Sequence, residues 1–126
     1  MYYLAVAVGG AMGSVLRYWI TSSIHTRFNI YFPMGTLVVN VIGSLLIGLF
    51  FTILYQKLNG NELIKSLVMV GLLGGFTTFS AFSIETFNLI HSGFWFKALL
   101  NIILSVSLCI FSAFLGIMLG RLLLNN

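Results

Sequence analysis

Charged residues interrupt this chain so rarely that the gaps between them set its architecture. Residues 1–16, 28–56, 66–84 and 98–120 contain no Asp, Glu, Lys or Arg. An α-helix crossing a bilayer needs about 20 consecutive apolar residues. The second and fourth gaps are long enough and the third just reaches. The first reaches if Arg17 lies near the far end of its helix. The pattern predicts an all-α membrane protein with four transmembrane helices at about 2–24, 34–55, 65–91 and 97–123, forming a single domain over 1–126. Pro33 suits the start of the second helix, Asn59-Gly60-Asn61 marks the second turn and Ser92-Gly93 the third. The N-terminus Met-Tyr-Tyr lacks a basic stretch, so the first helix reads as retained rather than cleaved as a signal peptide.

Composition narrows the function classes. Only 6% of the residues are charged, where a soluble domain carries roughly a quarter. Two acids and two histidines are few groups for a metabolic enzyme. The six bases are scattered singly and form no nucleic-acid patch. The single cysteine, Cys109, excludes an intrachain disulfide framework.

Orientation is set by an excess of Lys and Arg on one side of the membrane, and here no excess is found. Lys57, Lys65 and Arg121 fall on the N-terminal side; Arg27, Lys97 and Arg17 fall on the other. Such a chain either inserts both ways or is oriented by something other than charge. Four packed helices also leave little lumen, so a transport path is expected between copies. Small-xxx-small pairs (Gly9/Gly13, Gly10/Ser14, Gly71/Gly75, Gly116/Gly120) permit close helix packing. Packing within one chain accounts for them as well as oligomerisation does.

Polar groups inside a membrane are costly, so they face protein or water. The third helix carries the densest set, Gly74-Gly75-Phe76-Thr77-Thr78-Phe79-Ser80-Ala81-Phe82-Ser83-Ile84-Glu85-Thr86. Its glycines and threonines are poor helix formers, and they predict a break at mid-membrane. A break frees backbone carbonyls that can hold a cation, and the following half-helix presents an anion-favouring N-terminus. A simple packing kink is the alternative. Phe79 and Phe82 share a face; such rings usually meet lipid, but their positive edges can line an anion path. Asn101, Ser105, Cys109 and Ser112 form a polar stripe on the fourth helix, and Asn40 lies with Gly43 and Ser44 on the second. Asn40 is either an interhelical hydrogen bond or an ion contact. Glu85 is the one acid within a predicted span, a relay, a gate or an interfacial carboxylate. Arg17 reads as capping a path or snorkelling to the interface. His25 and His91 fall at loops and read as solvated.

These motifs carry a family resemblance along the whole chain. Gly9-Gly10-x-x-Gly13-x-x-x-Arg17, Gly35-Thr36-x-x-x-Asn40-x-x-Gly43-Ser44, the third-helix motif through Glu85 and the fourth-helix stripe together resemble the Fluc (CrcB) fluoride channels of bacteria. The resemblance implies an antiparallel homodimer of oppositely inserted copies in the bacterial inner membrane, with two narrow fluoride pores built from both subunits. It implies a sodium ion on the twofold axis, held by the backbone carbonyls of Gly74 and Thr77. It implies that Phe79 and Phe82 line the pores, that Asn40 faces them, that Ser80 and Thr36 add hydroxyl donors, and that Glu85 and Arg17 lie near the path or its mouths. Ser105 and Ser112 match the fourth-helix track, whereas Ala81, Asn101 and Cys109 depart from the family's Thr, Tyr and Ser. The function implied is passive, selective export of fluoride, with no enzymatic activity. The alternative is a small dual-topology exporter of cationic compounds coupled to protons. That chemistry needs an acid in the first helix, where this chain has only Arg17 as a charged group.

Overall fold

The computed structural model describes residues 1–28, 31–57 and 59–124. Among them the chain is helical apart from short turns. Helix α1 is Tyr2–Phe28 and α2 is Met34–Lys57. The third span holds two helices in line: α3, residues 62–76, and α4, Phe79–His91. Helix α5 is Trp95–Leu124. The four spans, Tyr2–Phe28, Met34–Lys57, Glu62–His91 and Trp95–Leu124, are long and apolar enough to cross a membrane.

The helix ends follow local chemistry. Helix α1 runs four residues past the expected 24, because nothing in 25–28 breaks it; Thr26 Oγ1 bonds back to the Ser22 and Ser23 carbonyls. Residues 29 and 30 of the first expected loop lie outside the described residues. Helix α3 starts at an Asn61 cap, whose side chain accepts from the Leu63 and Ile64 amides at 3.0 and 3.2 Å. Its middle, Lys65–Leu73, is wound as a π-helix. Helix α4 stops before Gly93, whose φ of 81° suits glycine.

Two glycine seams hold the bundle. In the first, α1 lies on α3 with backbone against backbone. A Cβ on Gly13 would collide with the Leu72 carbonyl and stand 2.8 Å from Phe76 N; one on Gly71 would stand 3.0 Å from Gly9 Cα. In the second, α2 lies on α5, in a contact nearly as extensive as that of α1 with α3. A Cβ on Gly116 would collide with the Leu45 carbonyl, and one on Gly48 with the Ala113 carbonyl. The small-residue pairs of the sequence therefore serve packing within the chain. Val39 and Asn101 are the largest fully buried side chains. Outward faces carry Leu4, Val15, Ile103 and Phe111, an apolar exterior suited to lipid.

Candidate functional site

The third span leaves helical geometry at two residues. Thr77 has φ −82° and ψ 156°, and Thr78 has φ −151° and ψ 121°. Each extended residue withdraws backbone groups from the helical ladder, and such groups are costly unless re-paired. Asn40 on α2 re-pairs both backbone groups of Thr78. Its Nδ2 donates to the Thr78 carbonyl at 2.9 Å, and its Oδ1 accepts from the Thr78 amide at 2.8 Å. Thr78 Oγ1 then caps α4 by accepting from the Ala81 amide at 3.1 Å and lies 3.2 Å from Ser80 Oγ. Of the two readings open for Asn40, the interhelical hydrogen bond is the one formed. An amide nitrogen has two N–H donors, so one is left over for the space beside it.

That space is a groove of about 370 Å³ between α2, the break, α4 and α5. Asn40, Thr77, Thr78, Phe79, Phe82 and Ser105 line it, with Cys109 further along α5. The Phe79 and Phe82 rings stand 5.2 Å apart at 44°. Phe82 is buried at 9% exposure, whereas Phe79 is 76% exposed on the face of the single chain. Ser112 is buried too, but the groove does not include it; Cys109 lies in the groove instead. Ser80 is exposed and meets only the Thr78 hydroxyl.

Asn101 has a different setting from its stripe neighbours. At 1% exposure it donates to Thr86 Oγ1 at 2.9 Å, and Thr86 donates to the Phe82 carbonyl at 2.7 Å. Ser105 Oγ bonds Asn101 Oδ1 at 3.4 Å. This chain of bonds fixes the Phe82 turn of α4 to α5.

One turn beyond Phe82, Glu85 Oε1 accepts from Thr36 Oγ1 at 2.7 Å. These two residues lie on the wall of a second space, toward the α1–α2 turn. Arg17 lies in the body of α1. Helix α1 continues eleven residues beyond it, and its Nη1 approaches the Thr77 carbonyl at 3.5 Å, beside the break. The bases outside the bundle then number three (Lys57, Lys65, Arg121) against two (Arg27, Lys97).

The break offers oxygens of the kind a hard cation takes. The amide that would close a helical bond on the Gly74 carbonyl, Thr78 N–H, is given to Asn40; the one for Thr77, Ala81 N–H, is given to Thr78 Oγ1. Both carbonyls are thereby released from the ladder. Their chemistry fits sodium, although the Arg17 guanidinium beside Thr77 opposes a cation there. Sequence reasoning missed Thr78 as the anchor of the break. Its signal was a threonine directly ahead of a helix start, where a hydroxyl can cap.

Four apolar spans, three of which flank a largely apolar groove edged by polar groups, define a small multi-pass membrane protein. Residues 4–117 match the family model described as CrcB-like protein, Camphor Resistance (CrcB). The chain is 48% identical over 122 residues to a fluoride-specific ion channel FluC of Coxiella burnetii (strain Dugway 5J108-111), covering 96% of this chain and 98% of that one. It is 50% identical over 118 residues to the protein of the same name from Magnetococcus marinus, covering 94% and 96%. A third, from Shewanella woodyi, is 52% identical over 113 residues, 90% of each chain. The chain belongs to the CrcB family.

Proposed function

We propose that this chain forms a fluoride-selective channel that lets cytoplasmic fluoride leave the cell passively. The observation that carries the reading is a likeness of about 50% over nearly the whole chain to proteins named as fluoride-specific ion channels. Hydrogen fluoride crosses bilayers as the neutral acid, loses its proton in a more neutral cytoplasm and traps fluoride inside. A negative-inside potential then drives the anion out by about 2.3 kcal/mol per charge per 100 mV.

In this reading the working unit is a homodimer of oppositely inserted copies in the inner membrane of a bacterium. The near-balance of bases supports it, and so does the exposed Phe79, which a second copy would cover. The groove then becomes a closed path. Fluoride gives up strong hydration on entering it, so the wall must supply donors. The free N–H of Asn40, the hydroxyl of Ser80 and the edges of Phe79 and Phe82 are those donors; the Thr36 and Ser105 hydroxyls, which bond Glu85 and Asn101, must turn to join them. Gly74 and Thr77 carbonyls from two copies meeting at the break would hold a sodium ion, whose charge offsets that of the passing anions. Arg17 adds a second positive charge beside the same peptide. The exporter reading is the weaker one: the first helix has no acid, and Glu85 is engaged by Thr36.

The test is efflux from liposomes holding the purified chain, followed with fluoride and chloride electrodes under a potassium–valinomycin clamp. Fluoride should leave rapidly with chloride retained. Phe79→Ile and Phe82→Ile should bring fluoride loss close to that of empty liposomes while the protein keeps its elution position on size exclusion. Wild-type flux in both variants would remove the pore assignment.

A further inference from the structure

Glu85 poses a problem for an anion path. Its Oε1 is bonded to Thr36, but its Oε2 is buried with no hydrogen-bond partner among the described residues. In its ionised form a carboxylate so placed would repel an approaching anion, and at short range inside protein that repulsion is several times larger than in water. A cationic group beside it would offset that charge.

Two spaces, of about 310 and 530 Å³, meet at Glu85, one on either side of a partition. Their common wall is His25, Phe32, Pro33 and Glu85. Of all the residues lining either space, His25 is the one base. Glu85 is one helical turn from Phe82, so this partition stands between the groove and the end of the molecule where α1 and α4 finish. The second space adds Asn88 and Ser92, which can hydrogen-bond a hydrated anion.

We propose that His25 is the fluoride-capturing residue at this mouth of the path: as imidazolium it holds fluoride opposite Glu85 and offsets that carboxylate's charge. The proposal rests on the reading of the chain as a fluoride channel. Imidazole is the side chain that changes charge in the physiological pH range, and its charged form is a strong N–H donor to anions. Capture by this side chain is therefore expected to be greater at lower pH. The other titratable groups nearby are accounted for. Lys97 is held over the rings of Phe94 and Tyr31, 4.6 and 5.7 Å from their centroids, and lines neither space. His91 stacks on Phe87 at 6.0 Å, Arg27 lies outside both linings, and the first turn of α2 (Met34, Gly35, Thr36) has no titratable group. Tyr31 lines the larger space.

The experiment measures initial fluoride efflux from liposomes at pH 6.5 and pH 8.0, for the wild type, His25→Gln and His25→Lys, with protein-free liposomes subtracted for acid leak. The wild type should run severalfold faster at pH 6.5. His25→Gln should be slow and His25→Lys fast, both with a flat pH profile. A His25→Gln protein with the wild-type rate and profile would assign the titration to another group and overturn the proposal. So would a His25→Lys protein as slow as His25→Gln, since a fixed charge should restore capture. A wild type that passes no fluoride at either pH removes the channel reading itself, and this proposal with it; the wild-type traces separate that failure from the others.

Discussion

The glycine seams and the Thr77–Thr78 break are opposite solutions to helix packing in one small molecule. At the seams, contact depends on missing side chains: the Gly13 and Gly116 positions have backbone where a Cβ would go. At the break, the fold depends on a side chain that is present, because Asn40 stands in for the helical partners of one residue, Thr78. A seam is most sensitive to addition, and the break to removal. The seams hold the bundle; the break leaves polar groups beside an open groove, where an ion path can form.

Substitutions at the two regions should therefore fail in different ways. Gly116→Leu has the largest expected effect. Its side chain must displace the α2 backbone at Leu45, and overpacking of this kind costs about 1–3 kcal/mol or more. We expect no monodisperse protein on size exclusion; a well-behaved, active variant would show that the seam is loose. Asn40→Ala comes next. It strands the Thr78 amide and carbonyl, each an unsatisfied group worth about 1–3 kcal/mol. The protein should still fold on its intact seams, with a lowered Tm. Fluoride efflux should fall at least about tenfold, the equivalent of about 1.4 kcal/mol on a barrier. Asn40→Asp sharpens this: it keeps the acceptor for the Thr78 amide and loses the donor, so its Tm should lie between those of Asn40→Ala and wild type. Thr78→Ala is the mildest. It removes one cap, about 1 kcal/mol, and should lower Tm by a few degrees with fluoride selectivity kept.

The seams and the break were legible in the sequence to different depths. Charge-free gaps gave the four spans within a few residues, since the bilayer's thickness fixes helix length independently of tertiary detail. Glycine spacing marked the seams but not their partners; Gly71 and Gly116 could equally have met a second copy, and only the packed chain pairs them with α1 and α2. The poor helix formers at 74–78 pointed to the break, yet which carbonyls it releases depends on a bond from Asn40, 38 residues away. The charge-free run put Arg17 near a helix end, but α1 continues to Phe28 and leaves the guanidinium beside Thr77, a residue of the groove wall. Stripe periodicity marks a face but not its surroundings: Ser105 and Cys109 line the groove, whereas Ser112 is buried outside it.

The most direct measurement of the central claim is the reversal potential of this single chain in a planar bilayer, under opposing fluoride and chloride gradients. A passive fluoride channel predicts current that reverses at the fluoride equilibrium potential and does not move when a pH gradient is imposed. Reversal at the chloride potential, or a reversal that follows the proton gradient, would contradict it.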